Sequence, residues 1–423
     1  MFDPATHGGV RRLPGTRETV AMLAGLMALN AFAIDAMIPA LPAIGHELGV
    51  ADENRRQLVV VAYFFGFGST QLIWGPLADR FGRKPVLAAG VLLYTLFAVL
   101  CGVAESFTLL IVSRIAMGAS AAVTRVLVVA MVRDLFDGEA MARIMSLVFM
   151  VFMVVPVLAP SVGQLILLFA PWRWIFLVLA AYALAMLLWS WLRLPETLHP
   201  EYRRSLKWRE IGEGIAGTLT ERQSLGYTLA LTAIFGGLTA YIASIQQIVF
   251  DVFHAPEAIA LIFAVIAAPM ALASWLNSRI VEHFGLRHVG HLGVIAFASI
   301  TAGHALLVAL TDEPLWLFAL LQSAAMASFA FSSSNLSALA MEHMAPIAGT
   351  ASSVQGVIGT IGGAAIGLVI GQSFDGTQLP FLTGIALCGV VALVLTLITE
   401  RGRLLHDPRQ RAVLSEEMIR FPE

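Results

Sequence analysis

Twelve times along this chain a run of roughly twenty apolar residues lies between clusters of charge, which is the length an α-helix needs to cross about 30 Å of hydrocarbon. The runs fall near 19–43, 56–78, 85–104, 107–132, 141–169, 172–194, 224–250, 257–280, 288–311, 314–340, 346–373 and 378–400. Their apolar character is continuous on all sides of a helix, whereas the strands of a membrane barrel alternate over about ten residues. Soluble domains carry about a quarter of their residues as charges. Here 13% are charged and 58% are hydrophobic, so no soluble core could hide the apolar surface. The expected class is an all-α membrane protein. The first run is longer than the apolar stretch of a cleavable leader and carries Asp35, so it reads as a span; Ala31-Phe32-Ala33 is only superficially a cleavage box.

The basic residues orient the spans. Of the 26 Lys and Arg, Arg55, Arg56 and Arg173 fall in loops on one face, and Arg114 and Arg125 lie inside a span. The other 21 fall on the opposite face, including Arg11, Arg12, Arg17, Arg143, Arg203, Arg204, Lys207, Arg409, Arg411 and Arg420. An asymmetry of that size places the basic face inside, and with it both termini. Trp172, Trp174 and Trp316 are expected as anchors at the outer interface, with Trp189 and Trp191 at the inner one. A net charge of −2 gives no basic field for nucleic acid. Cys101 and Cys388 lie in apolar runs without an activating neighbour and are read as inert thiols. His283, His288 and His291 lack metal-ligand spacing, and His304 reads as a structural partner. No metal or organic cofactor is expected.

The one long polar connection covers 195–223 and divides the chain into 1–194 and 224–423, six spans each. Such a division implies an internal duplication with a path between the halves. The duplication shows in sequence. Gly75-Pro76-Leu77-Ala78-Asp79-Arg80-Phe81-Gly82-Arg83-Lys84 follows span two. Asn277-Ser278-Arg279-Ile280-Val281-Glu282-His283-Phe284-Gly285-Leu286-Arg287 follows span eight. Both present an acid, an aromatic residue, a glycine and a base.

The first of these segments resembles the inner-loop signature of the major facilitator superfamily at every defining position. Further segments resemble the bicyclomycin/chloramphenicol-resistance (Bcr/CflA) branch of drug–proton antiporters. They are Ile34-Asp35 through Pro39 to Pro42, Arg133-Asp134, Ala159-Pro160-Ser161-Val162-Gly163 and Trp172-Arg173-Trp174-Ile175-Phe176. Pro195-Glu196-Thr197, Asn277-Ser278-Arg279 and Ala348-Gly349-Thr350-Ala351-Ser352-Ser353 complete the set. The resemblance spans nearly the whole chain and implies twelve helices in two six-helix halves. Departures are Val155, Ala159 and Gln164 where antiporters of the superfamily often have glycine, and Met37 where the branch often has an aromatic residue.

Asp35 is the only acid inside an apolar run. A charge near the bilayer centre costs about 2.5–3.5 kcal/mol on insertion scales, so it marks a functional position. A carboxyl group that gains and loses a proton is what a proton-coupled carrier needs. The competing reading is a carboxyl that only locks the helix. At 1.5 Å per residue, Asp35 and Arg114 both lie about 6–7 Å outside the midpoints of their spans, while Arg125 falls roughly 9 Å to the inner side. The resemblance assigns Asp35 to proton and drug binding and Arg114 to proton coupling. It assigns Gly75, Asp79, Arg80, Gly82, Arg83 and Lys84 to an inner gate; the alternative for these is a topogenic basic cluster. Arg125 lines the vestibule or holds neighbouring carbonyls. Asn30, Phe32, Met37, Tyr63, Met150, Met153, Tyr241, Gln246, Asn335 and Gln355 are pocket candidates, polar groups and adaptable Met and aromatic residues suiting several ligands.

Three functions fit these residues. The first is a drug–proton antiporter of a bacterial inner membrane, acting as a monomer on a lipophilic or cationic drug and driven by the proton gradient. The second is a carrier of a metabolite such as a nucleoside or amino acid, since fold does not fix substrate. The third is a membrane enzyme or receptor, and an enzyme would need within its spans a catalytic set such as HExxH or paired acids. The sequence has neither of these, nor a nucleotide-binding loop.

Overall fold

Continuous apolar runs satisfy their own backbone hydrogen bonds only as helices in lipid, and helices are what the computed structural model contains. It describes residues 14–136, 138–198, 201 and 208–405. Among the expected inside-facing bases, Arg11, Arg12, Arg203, Arg204, Lys207, Arg409, Arg411 and Arg420 lie outside the described residues, and so do the side chains of Arg143, Met150 and Met153.

The first six spans are built from α1 (Thr16–Asp35), α3 (Leu58–Phe81), α4 (Arg83–Gly102), α5 (Phe107–Leu135), α6 (Gly138–Phe169) and α7 (Arg173–Arg193). The last six are α9 (Arg222–Gln247), α10 (Ile259–Phe284), α11 (Leu286–Leu310), α12 (Leu315–Met341), α13 (Ala348–Gln372) and α14 (Leu379–Thr399). Two shorter helices, α2 (Leu41–Glu47) and α8 (Trp208–Thr220), complete the order. Eleven described stretches are long and apolar enough to span a membrane, and α6, with its apolar part Val155–Phe169, is the twelfth. Leucines and aromatics such as Leu168, Phe169, Leu310 and Trp316 stand exposed on the outside of the bundle, as lipid-facing side chains do. The chain is a multi-pass membrane protein.

Three sequence expectations change. The first span is not one continuous helix over 19–43. α1 ends at Asp35, a 3-10 turn (Ile38–Ala40) follows, and α2 then begins. Pro39 and Pro42 occupy the first turns of the two pieces, where a missing N–H costs nothing. The polar connection 195–223 holds α8, which is amphipathic and lies on the second six-helix unit, with Gly214 against Thr350 and Gly217 against Ile347. Trp172 is not an interface anchor: it is 2% exposed, stacks edge-on with Phe176 and donates to Glu47 at 2.5 Å. Trp174, Trp191 and Trp316 are exposed.

The duplication is visible in the backbone. Gly82 between α3 and α4 has φ 101° and ψ 153°, and Gly285 between α10 and α11 has φ 78° and ψ 157°. Both values lie in a region that only glycine occupies without strain. The two units pack through α3 against α13 and α6 against α10. Phe64 meets Phe235 edge-to-face across the seam, and Gln71 Nε2 donates to Thr360 Oγ1 at 3.0 Å. One end of the bundle carries Arg55, Arg56 and Arg173 and is called the arginine-poor face below; the other end is the arginine-rich face.

Candidate functional site

The break in α1 positions the intramembrane acid. Asp35 is the last residue of α1 and is 4% exposed, and its carboxyl group has no hydrogen-bond or ion-pair partner among the described residues. Helix ends leave carbonyls unpaired. At this end one of them, Ala33 O, accepts from Arg114 Nη1 at 3.0 Å. Arg114 Nε donates to Val59 O of α3 at 2.8 Å. The guanidinium lies 4.7 Å from the centre of the Tyr63 ring and 5.8 Å from that of Phe176. One fully buried side chain on α5 therefore ties α1, α3 and α7 together near the end of α1, and its Nη2 is buried without a partner among the described residues. Arg114 thus reaches the α1 backbone two residues before the acid.

Close packing holds the same spot from the other side. Gly163 of α6 faces the backbone carbonyl of Ala36, and a Cβ at that position would collide with it. On α9, the hydroxyls of Tyr241 and Ser244 are both buried without partners among the described residues. Tyr241 stacks at a tilt on Phe263 of α10, with centroids 5.4 Å apart.

The other pocket candidates divide by their bonds. Asn30 and Tyr63 belong to one buried network: Tyr63 O–H donates to Asn30 Oδ1 at 3.0 Å, and Asn30 Nδ2 to Thr124 Oγ1 at 2.8 Å. Met37 and Gln246 are buried. Arg125, on α5, is exposed. Asn335 Nδ2 donates to Asn277 Oδ1 at 2.7 Å, and Gln355 Nε2 to Ser224 Oγ and Ala340 O, both at 3.0 Å. Those two residues tie helices of the second unit to one another.

At the arginine-rich face the signature segment forms a compact ionic cluster. Arg83 Nε donates to Asp134 Oδ2 at 2.9 Å and its Nη1 to Asp79 Oδ1 at 2.5 Å. Glu196 accepts from the backbone N–H groups of Arg83 and Lys84 at 2.8 and 3.1 Å, capping the amino end of α4 as an anion should. Lys84 Nζ donates to Leu194 O at 2.8 Å and lies 4.8 Å from the Trp191 ring centre. Arg80 lies over Phe81. Gly75 is in α3 one turn before Asp79.

The second unit repeats the cluster with residues that sequence reading passed over. Arg287 donates to Glu342 at 2.7 Å and to Glu400 at 3.1 Å. Tyr227 O–H donates to Glu400 and also meets His291 Nε2 at 2.9 Å, and the Leu405 N–H donates to His291 Nδ1 at 3.2 Å. Burial works to raise the Glu342 carboxyl, but its bonds from Arg287 and Gln223 outweigh that and hold it below the ordinary carboxylate range. The repeat of Gly285-Leu286-Arg287 was the available signal. Glu342 and Glu400 occupy the places of Asp134 and Glu196 at the ends of the fourth and sixth helices of the unit. His304, at the other end, is buried with both Glu313 oxygens 3.0 Å from its Nε2.

Known proteins resemble this chain in sequence and in fold. The sequence profile of the Major Facilitator Superfamily matches residues 23–367. A bicyclomycin resistance protein homolog of Haemophilus influenzae is 30% identical over 371 residues, covering 87% of this chain and 92% of that one. The multidrug resistance protein MdtL of Escherichia coli is 32% identical over 209 residues, covering 49% of this chain and 53% of that one. A solved D-xylose–proton symporter superposes with a TM-score of 0.70 at 15% identity, covering 91% of this chain and 96% of that one. The human organic anion transporter MFSD10 superposes with a TM-score of 0.65 at 18% identity, covering 90% of this chain and 99% of that one. The last two likenesses concern the fold alone.

Proposed function

Because the chain belongs to the major facilitator superfamily, in its bicyclomycin-resistance branch, we propose that it is a proton-coupled drug exporter of a bacterial inner membrane, with its arginine-rich face and both termini in the cytoplasm. The observation that carries this reading is Asp35, a buried carboxyl at the broken end of α1 without a donor among the described residues, two residues past the carbonyl that Arg114 holds. A charge left unpaired in such a place is costly. It is relieved by a proton, by a cationic substrate, or by the spare Arg114 Nη2 if the helices shift. Each of these excludes the others, which is the exchange an antiporter needs.

In the proposed cycle the site faces the cytoplasm with Asp35 deprotonated, and drug enters along the path lined by Arg125. The two units rock about their seam and open to the outside. An external proton neutralises Asp35 and displaces the drug, and return to the inside releases the proton. Asp79 is 42% exposed and bonded only to Arg83 of its own unit among the contacts described. In the outward-open state it latches the units together at the arginine-rich face. Met and aromatic side chains around the path accommodate lipophilic drugs of several shapes. Energy comes from the proton gradient, and one polypeptide suffices.

The test is drug-induced proton movement in inverted vesicles over a panel of lipophilic cations and phenicols, wild type beside Asp35→Asn. Wild type should release protons on drug addition. Asp35→Asn should fold at least as well and release none. Proton release that persists in Asp35→Asn would refute the role of the acid, and a folded wild type inert to every drug would refute drug export.

A further inference from the structure

The two six-helix units are held together at the arginine-poor face by side-chain amides. Asn54 and Gln57 belong to the 3-10 turn Glu53–Gln57 that leads into α3. Gln247 ends α9 and Gln372 ends α13. Asn54 Nδ2 donates to Gln372 O at 3.2 Å and to Phe374 O at 2.9 Å, and Gln372 Nε2 returns a bond to Asn54 O at 2.6 Å. Gln247 Nε2 donates to Asn54 Oδ1 at 2.9 Å. Gln57 Nε2 donates to Gly371 O at 3.1 Å and also to Gln247 Oε1. Gln57 and Gln247 are each 1% exposed.

We propose that this four-carboxamide cluster is the outer gate of the path, and that its opening is the step that releases substrate to the outside. The inference rests on the alternating-access reading above and adds the residues that perform one of its steps. The bonds run between the units rather than within them, and they come from helices on both sides of the seam. Every partner is a neutral amide or carbonyl, so each bond broken is replaced by a nearly equivalent one to water. A buried ion pair would not reopen so easily, because separating its charges leaves them unpaired. The chain beside the lock departs from regular helix. α9 passes directly from Gln247 into a π-turn, Ile248–Val252, a feature common at functional bends. His254, just beyond, holds a φ of 51°, which a residue with a side chain seldom adopts. Gly371 is part of the device, since a side chain added there would overlap the Gln57 carboxamide.

The test uses the full-length protein in intact cells with a reporter cysteine, Ser244→Cys, one turn below Gln247. Cys101 and Cys388 are buried and stay in place. A membrane-impermeant maleimide added from outside reads gate opening without any drug. Asn54→Ala with Gln247→Ala should raise the labelling rate about tenfold, as expected when several such bonds are lost. Gln247→Glu, which keeps the volume, should raise it in the same direction and guards against a folding defect. A second pair, Asn54→Cys with Gln372→Cys, joined by a short thiosulfonate cross-linker, should block efflux until reduction restores it. Labelling unchanged in both lock variants, or full efflux from the cross-linked protein, would overturn the gate. Lock-dependent labelling, together with an unsubstituted protein that moves no drug, would leave the gate standing and refute drug export instead.

Discussion

Arg114 concentrates more consequence than any other side chain near the break in α1. Its guanidinium serves carbonyls on two helices and rests on two rings, with one nitrogen left over. A lysine has the charge but not the fork. Arg114→Lys should lower unfolding stability by about 1–3 kcal/mol, the usual penalty for stranding a buried acceptor. It should also reduce drug-driven proton movement by more than about tenfold, since each 1.4 kcal/mol of lost positioning is a factor of ten. Thermal unfolding of the purified protein and the vesicle assay measure the two separately. If efflux falls while stability is unchanged, the arginine acts on the proton rather than on the scaffold.

Among the elements, the pairing of α1 with α6 is the tightest constraint on the site. Gly163 is the glycine of the span-five motif that this chain retains, and it faces the Ala36 carbonyl, one residue past the acid. Gly163→Val should force the helices apart at a cost of about 1–3 kcal/mol, the range for overpacked cores. A lower melting temperature would register it, and reduced efflux should accompany it because the depth of Asp35 changes.

Much of this level was legible in the sequence. Apolar length gave the spans, arginine asymmetry gave the two faces, and Gly285-Leu286-Arg287 gave the duplication but not the ionic cluster that Glu342 and Glu400 complete. The break after Asp35 was not legible, although Pro39 and Pro42 stood in plain view, because membrane helices often carry proline without breaking. α8 was hidden by its polarity. The carboxamide lock was hidden for another reason. Its members are four amides, 318 residues apart at the extreme, with no period or charge to link them; only packing brings them together.

At the scale of the whole molecule, two units meet along a seam that is fastened at one face by amides and carries ionic clusters at the other. The clusters lie within their own units, around Arg83 in the first and Arg287 in the second. That distribution makes each unit stiff and leaves the seam as the place where motion is cheap.

The docking of α8 has a further consequence, for where this protein can be cut. Its helix lies against Ile347 and Thr350, so it travels with the second unit although it precedes that unit in the chain. α8, from Trp208 onward, therefore belongs with the second unit. A gene severed at Glu201 should yield two fragments that find each other in the membrane and restore export, because α8 keeps its seat. Severed at Glu221, the second fragment loses that helix and exposes the foot of α13, and the pair should assemble poorly. Co-purification of separately tagged fragments, with drug efflux from the same cells, distinguishes the two cuts; equal recovery from both would mean that α8 is only a spacer.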